Sequence, residues 1–354
     1  MKQIMDQKFQ HESALLCAIR DEIGKVIVGL DGLIERLLIC LLCDGHILIE
    51  GVPGLAKSLT VNTLARTLAV TFSRIQFTPD LLPGDVVGTL IYNQKTGEFS
   101  PHLGPIFANI VLADEINRSP AKVQSALLEA MQERQVTIGK KSYPLDDPFL
   151  VMATQNPIEQ EGTYSLPEAQ LDRFMFKVLI SYPSLEEEHL IMKRMAASRP
   201  DLEVNAVASG EDIVQMRAVL DAIYTSEAIE KYILRLVDAT RHPEHYELDM
   251  LKSYIAHGAS PRASITMLKA ARAHALLAGR DYVLPQDVKR VAPDILRHRV
   301  AITYKAEAEE RDVNDIIELI LNTVEVPLES SKQRTNEDEG GIGPNSNAES
   351  VRFG

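Results

Sequence analysis

The sequence predicts an α/β domain, with a parallel sheet between helices and β-hairpin inserts, followed by an all-α domain. Up to Pro183, short continuous apolar runs alternate with helical patterns, and such runs are typical of strands buried on both faces of a sheet. One of these runs leads through a glycine-bearing loop into a helix. Beyond Pro183, helical periodicity and N-cap signals continue to Thr323. The 354 residues are enough for two domains.

These patterns divide the chain into four parts. We expect an N-terminal helix and linker over 1–21, the α/β domain over 22–183, the helical domain over 184–327 and a tail over 328–354. The tail is rich in Ser, Asn, Gly and acidic residues, a composition that predicts disorder.

The elements of both domains follow from local signals. Strands are predicted over 47–49, 72–78, 109–114, 149–154 and 175–180. Helices are predicted over 12–43 with a break at 24–32, over 58–70, and over 119–133, where Ser119 and Pro120 form a helix start. Hairpins are predicted near 86–99 and 135–143. Helix starts in the second domain are indicated at Ser184, Ser209, Ser226, Ser260 and Leu284.

The segment Gly51-Val52-Pro53-Gly54-Leu55-Ala56-Lys57-Ser58 has the pattern of a phosphate-binding loop. Loop N–H groups and the following helix N-terminus favour an anion, Lys57 would reach the β- and γ-phosphates, and Ser58 would ligate Mg²⁺. Ala56 stands where this pattern has Gly. Because Ala does not readily adopt positive φ, we expect Ala56 to be near-helical and the loop to turn at Gly51 and Gly54.

Polar residues end two further apolar strands. Asp114 and Glu115 close the run from Ile110, where Asp114 would hold the Mg²⁺ shell and Glu115 would orient and polarise the attacking water. Asn156 follows the strand from Leu150 and would hydrogen-bond that water and the γ-phosphate. The alternative interpretations are an acidic strand end and an Asx turn before Pro157.

Two arginines are further candidates for contact with the nucleotide. Arg173, at the start of a later strand, is suited to spreading transition-state charge on a γ-phosphoryl group. Arg262, in the first turn of a helix of the second domain, could report the γ-phosphate state to that domain. Each arginine could instead be an ordinary exposed side chain paired with a neighbour.

Composition limits the class of protein. The formal net charge of −13 repels phosphate backbones, so nucleic acid is an unlikely main partner. Cys40 and Cys43 lie in an apolar helix end without a second ligand pair, which favours buried thiols over a metal site. The N-terminus lacks a signal-peptide pattern, and no apolar run approaches the ~20 residues of a membrane span. We therefore expect a cytoplasmic protein.

These segments together resemble the AAA+ ATPases, and more narrowly the MoxR family. The quoted loop, the acid pair and Asn156 each match, and Ala56 looks like that family's own variant of the loop. The longer matching segments are Phe77–Asp85, Leu112–Arg118, Ala126–Glu133, Ala153–Pro157, Leu166–Phe174, Ser260–Arg262 and Leu296–Arg299. The resemblance covers roughly residues 20 to 325.

The resemblance implies ATP and Mg²⁺ bound at the subunit interfaces of a ring, expected to be a hexamer. On this basis Gly51 to Ser58, followed by Leu59, bind the phosphates, Val28 and Gly29 lie near adenine, and Asn156 is sensor 1. Arg173 is the arginine finger given to a neighbour and Arg262 is sensor 2, in cis or in trans. The resemblance also implies a chaperone that matures protein complexes, metal or cofactor insertion among them, with von Willebrand factor A partners.

Two other functions stay open at this stage. One is an ATP-dependent assembly switch or scaffold with little turnover, against which the intact Glu115, Asn156 and Arg173 argue. The other is a helicase-like nucleic-acid motor, since replicative helicases share the hairpin inserts, but the acidic charge balance weighs against it.

Overall fold

The computed structural model describes residues 2–95, 97–156 and 163–326, with side chains from residue 7 onwards. The tail predicted over 328–354 lies outside the described residues. In chain order, the elements up to Pro183 are α1 (Lys2–Gly24), α2 (Asp31–Leu42), β1 (Ile47–Gly51), α3 (Lys57–Thr67), β2 (Phe72–Gln76), α4 (Pro83–Val87), β3 (Gly88–Asn93), β4 (Glu98–Leu103), β5 (Ile110–Asp114), α5 (Ala121–Glu133), β6 (Gln135–Ile138), β7 (Lys141–Pro144), β8 (Leu150–Gln155), α6 (Glu168–Leu171) and β9 (Phe176–Ile180).

The elements after Pro183 are mostly helices. They are α7 (Leu185–Met195), α8 (Gly210–Leu220), α9 (Glu227–Ala239), β10 (Ile255–His257), α10 (Pro261–Leu277), α11 (Pro285–Leu296), β11 (Ala301–Ile302), α12 (Tyr304–Ala308) and α13 (Val313–Thr323). Ser184, Ser209, Ser226 and Ser260 each cap a helix, as the sequence predicts. The short antiparallel pair of β10 and β11 is a feature that helical periodicity does not predict.

The central sheet has five parallel strands in the order β2-β5-β8-β1-β9. β5 and β8 are buried on both faces over most of their length, which explains their continuous apolar sequences. The strands β3–β4 and β6–β7 form separate antiparallel hairpins. The predicted class, a parallel sheet between helices with hairpin inserts and a helical domain, is confirmed. Because β8 lies between β5 and β1, the loops that follow these three strands open at one edge of the sheet.

Helix α1 crosses the boundary that the sequence places at residue 22. It is one continuous helix, and its side chains Leu16, Ile19 and Ile23 are almost completely buried. It packs against α3 of the first domain and against α8 and α10 of the second. The segment expected to be an N-terminal helix and linker is part of one continuous helix that contacts both domains.

The two domains share one apolar core. A single cluster of buried side chains includes members of α2 and β1 as well as members of α10 and α11. Arg36 of α2 strengthens this contact, since its Nε donates to Asp294 Oδ2 of α11 at 2.8 Å. Cys40 lies in the same cluster and is completely buried, and this burial raises the pKa of its thiol well above the usual range.

No helix in the part of the chain that the structure describes combines the length and the apolar character that a membrane span requires.

Candidate active site

The loop between β1 and α3 differs from its predicted conformation at Ala56. This residue is in the left-handed region, with φ of 51° and ψ of 21°, rather than near-helical. Gly54 has φ of 88°, as the sequence predicts, but Gly51 is not among the residues with positive φ. A Cβ on Gly51 would lie 2.9 Å from the carbonyl oxygen of Ile180, so glycine is required there by the close approach of β9.

Replacing Ala56 with Gly is expected to stabilise the protein. A left-handed conformation costs an L-residue roughly 1–2 kcal/mol, and the greater freedom of Gly in the unfolded chain offsets part of this gain. We expect the free energy of unfolding in urea to rise by about 0.5–1 kcal/mol. Exposed Ala69, with φ of 51°, is a matched control and should respond similarly. Helical Ala65 should instead lose stability on the same change. A destabilised Ala56→Gly variant would contradict the assignment of strain to this loop.

Lys57 and Ser58 occupy the first turn of α3. Lys57 Nζ donates to the carbonyl oxygen of Gly51 at 2.5 Å, which folds the side chain back over the loop. Partial burial lowers the pKa of the Lys57 ammonium, while the nearby carboxylates of Asp114 and Glu115 oppose this shift. The loop therefore has a cation beside two acids, an arrangement suited to holding an anion and a divalent cation together.

Asp114, the last residue of β5, is held from two sides. Arg74 Nη2 on β2 donates to Asp114 Oδ2 at 2.6 Å, and Thr154 Oγ1 on β8 donates to Asp114 Oδ1 at 2.7 Å. Glu115 follows in the left-handed region, with φ of 56°. Its backbone N–H donates to Thr154 Oγ1 at 2.9 Å. The two carboxylates thus face one edge of the sheet in fixed directions.

The carboxylate of Glu115 has its own partners. Gln76 Nε2 donates to Glu115 Oε2 at 3.0 Å, and Arg118 Nη1 lies 3.1 Å from the same oxygen. Sequence reasoning missed Arg74, Gln76 and Thr154. Gln76 and Thr154 lie at or next to the carboxyl ends of their strands and Arg74 lies in the middle of β2, so their signal is polar residues within predicted strands, and it can be interpreted only once β2 and β8 are known to flank β5.

A cavity of about 420 Å³ lies over the loop. Of the predicted site residues, this cavity brings together the phosphate loop, the acid pair Asp114 and Glu115, and Asn156. The residues that line it are Gly51, Pro53, Gly54, Leu55, Ala56, Lys57, Ser58, Leu59, Arg74, Gln76, Asp114, Glu115, Thr154, Gln155 and Asn156. Val52, Val28 and Gly29 are not part of this lining. A Cβ on Gly29 would lie 3.0 Å from the carboxyl carbon of Glu187 in α7, so Gly29 packs against the start of that helix.

Arg173 and Arg262 lie outside that cavity and line a second one of about 280 Å³. Both side chains are exposed. Arg173 Nη1 donates to the carbonyl oxygen of Leu128 at 3.2 Å, and Arg262 Nη1 donates to Asp172 Oδ2 at 3.3 Å. Lys269 and Arg299 also line this cavity, which gives it a cationic character. The two predicted arginines therefore line one cavity together, and neither lines the cavity over the phosphate loop.

The residues at the loop fit a nucleotide triphosphate with Mg²⁺. The loop offers backbone N–H groups and a lysine for phosphates, while the Ser58 hydroxyl and the Asp114 carboxylate are the oxygen donors that Mg²⁺ prefers. The fold and this donor set define an AAA ATPase. The family model described as "ATPase family associated with various cellular activities (AAA)" matches residues 46–176, and the model described as "AAA lid domain" matches residues 249–320.

Similar proteins that carry a name narrow the class of AAA ATPase to which the chain belongs. The chain is 53% identical over 306 residues to Chaperone MoxR1 of Mycobacterium tuberculosis (strain ATCC 25618 / H37Rv), covering 86% of this chain and 81% of that protein. It is 30% identical over 333 residues to Protein MoxR of Methylorubrum extorquens, covering 86% and 93%. A crystal structure of a candidate ATPase from Cytophaga hutchinsonii ATCC 33406 superposes with a TM-score of 0.86 at 52% identity, covering 92% and 98%. The chain belongs to the MoxR family of AAA+ ATPases.

Proposed function

We propose that this protein hydrolyses ATP to ADP and phosphate in an oligomeric ring, a hexamer, and that it uses this cycle as a chaperone that remodels or matures partner complexes. The observation that carries the proposal is the separation of Arg173 and Arg262 from the phosphate loop of their own subunit. A site with its loop and acids in one cavity and its arginines in another is complete only when two subunits meet.

The residues of the first cavity divide the work of hydrolysis. The loop N–H groups and Lys57 bind the β- and γ-phosphates, and Ser58 and Asp114 hold the metal. Mg²⁺, when bound, neutralises charge that develops on the phosphates. Glu115 accepts hydrogen bonds from Gln76 and Arg118, so its carboxylate is directed before water binds. It orients and polarises that water, and Asn156 at the end of β8 holds the water against the γ-phosphate.

The arginines of the second cavity act in trans on a neighbour's nucleotide. Arginine suits this task because its planar guanidinium is always charged and binds phosphate oxygens bidentately. We place both Arg173 and Arg262 in this role, Arg173 as the finger and Arg262 as the sensor. We also propose that Val28 and Gly29 lie near the adenine of the bound nucleotide, and that Val52 contributes to the backbone of the phosphate loop.

The chaperone part of the proposal rests on kinship and on one exposed surface. The relative from Mycobacterium tuberculosis is named a chaperone. The hairpin β3–β4 exposes 52% of Tyr92 and 67% of Phe99, whose ring centroids are 5.1 Å apart. Exposed paired aromatics are suited to contact with polypeptide clients. We propose protein clients in the cytoplasm, with a von Willebrand factor A partner and metal or cofactor insertion as the form of maturation.

ATP turnover measured across protein concentrations tests the proposal. Because each site needs two subunits, we expect phosphate release per subunit to rise steeply with concentration and then to level off once rings are complete. Light scattering on the same samples should show assembly over the same range. Assembly on ATP with no turnover would replace this proposal with the switch or scaffold. Turnover per subunit that is independent of concentration, in a sample that is shown to dissociate, would contradict the shared site.

A further inference from the structure

We propose that Arg299, in the turn that follows helix α11 of the helical lid domain, is a positioning residue for Arg173. It fixes the turn that carries the finger, so the lid of one subunit sets the geometry of its neighbour's active site. This inference rests on the proposed function, because it takes Arg173 to act in trans.

The guanidinium of Arg299 binds the chain on both sides of Arg173. Its Nε donates to Asp172 Oδ1 at 2.7 Å and its Nη2 to the Phe174 carbonyl oxygen at 2.6 Å. Nη2 also reaches the Asp172 carbonyl oxygen at 3.2 Å, while Nη1 donates to the carbonyl oxygens of Met175 at 3.2 Å and Ile295 at 2.6 Å. All five donors of this guanidinium are used, four of them on residues that flank Arg173.

Arg299 cannot itself be the residue that meets a neighbour's phosphate. Its side chain is only 2% exposed, and each of its N–H groups already has an acceptor. Arg173, between the clamped residues, is exposed and donates a hydrogen bond to the Leu128 carbonyl oxygen. The arrangement is a buried arginine that immobilises a turn and an exposed arginine that projects from it.

The residues on either side of Arg299 extend the clamp. His298 Nε2 lies 3.0 Å from the Phe174 carbonyl oxygen, and Arg297 Nη1 donates to the Lys177 carbonyl oxygen at 2.5 Å. Burial lowers the pKa of His298 well below the usual range, so the ring is neutral and donates one hydrogen bond there. Three consecutive side chains thus hold the backbone of 172–177 to the lid.

Asp172 joins the clamp to the second arginine of the same cavity. One of its carboxylate oxygens accepts from Arg299, and the other accepts from Ser260 Oγ at 3.0 Å and from Arg262 Nη1 at 3.3 Å. The Asp172 carboxylate therefore belongs to the residue that precedes Arg173 and also binds the guanidinium of Arg262, and Arg299 fixes its position. Since a shift of about 1 Å in a group that meets the transition state can cost about a hundredfold in rate, this fixation is a catalytic requirement.

Mixed rings test the proposal. The test variant is Arg299→Lys, which keeps the charge but cannot span both sides of the turn. Alone, it should lose about tenfold to a hundredfold in kcat, with the KM for ATP changed by less than about threefold, because its own loop is intact. When the Arg299→Lys variant is mixed in equal amounts with the Lys57→Ala variant, turnover should recover up to about a quarter of the wild-type value. At about a quarter of the interfaces, an Arg299→Lys subunit supplies an intact loop and a Lys57→Ala subunit supplies an intact finger.

Control variants separate the possible failures. Arg290→Lys, in the preceding helix α11 and 57% exposed, should leave turnover unchanged. Arg173→Ala mixed with Lys57→Ala is the reference pair, and its failure to recover would overturn the shared site of the proposed function and this inference with it. If the reference pair recovers and Arg299→Lys does not, Arg299 acts within its own subunit and the inference is wrong. Should Arg299→Lys fail to fold in thermal unfolding, Asp172→Asn tests the same contact and must meet the same expectation.

Discussion

Replacement of Glu115 with Gln is expected to reduce ATP turnover by about 10²–10⁴-fold, the usual contribution of a general base. The amide has the size of the carboxylate and can keep the hydrogen bond to Gln76, but it cannot accept a proton from water. Nucleotide binding should stay within about threefold of the wild type, because the loop and Lys57 are unchanged. Phosphate release and the binding of a fluorescent ATP analogue, measured on the same preparation, separate these two effects.

The control for this change is Glu318→Gln, on the exposed side of α13, which removes one acid elsewhere and should leave both measurements unaltered. Normal turnover in the Glu115→Gln variant would show that another group activates the water. Loss of binding along with turnover would show that the variant disturbs the loop, and the role of Glu115 as a base would not stand.

Replacement of Arg173 with Ala is expected to cause the largest loss, about 10³–10⁵-fold in kcat, which is the contribution of an arginine finger, the role that we propose for it. Arg173 is exposed and donates a hydrogen bond to the carbonyl oxygen of Leu128 at 3.2 Å, so we expect the stability of the protein and its affinity for ATP to be almost unchanged. Arg173→Lys should restore little, because an ammonium lacks the planar fork that binds phosphate oxygens.

Complementation shows on which subunit each residue acts. Rings mixed from Arg173→Ala and Lys57→Ala should regain turnover, since one variant supplies the loop and the other the finger. Rings mixed from Glu115→Gln and Lys57→Ala should stay inactive, because both defects lie on the same side of the shared site. Recovery in the second mixture, or none in the first, would contradict this division of the site.

The sequence predicts the main architecture because strands buried on both faces and capped helices leave local signals. The runs ending at Asp114 and Asn156 and the N-caps at Ser209 and Ser260 are of this kind. Arg74, Gln76 and Thr154 were missed because their importance depends on which strands are neighbours, and strand order arises from contacts between distant parts of the chain. Propensity alone gave the wrong conformation for Ala56, since the surrounding loop imposes a left-handed residue there at a cost in strain.

The continuous apolar core beneath the lid has a mechanical consequence. Opening a subunit by swinging its lid would tear α10 and α11 from β1 and α2, and would expose tens of buried aliphatic groups to water at about 25 cal/mol per Å². We therefore expect the two domains of a subunit to move together, so that in the proposed cycle the motion that reaches a client is a rotation of whole subunits against one another.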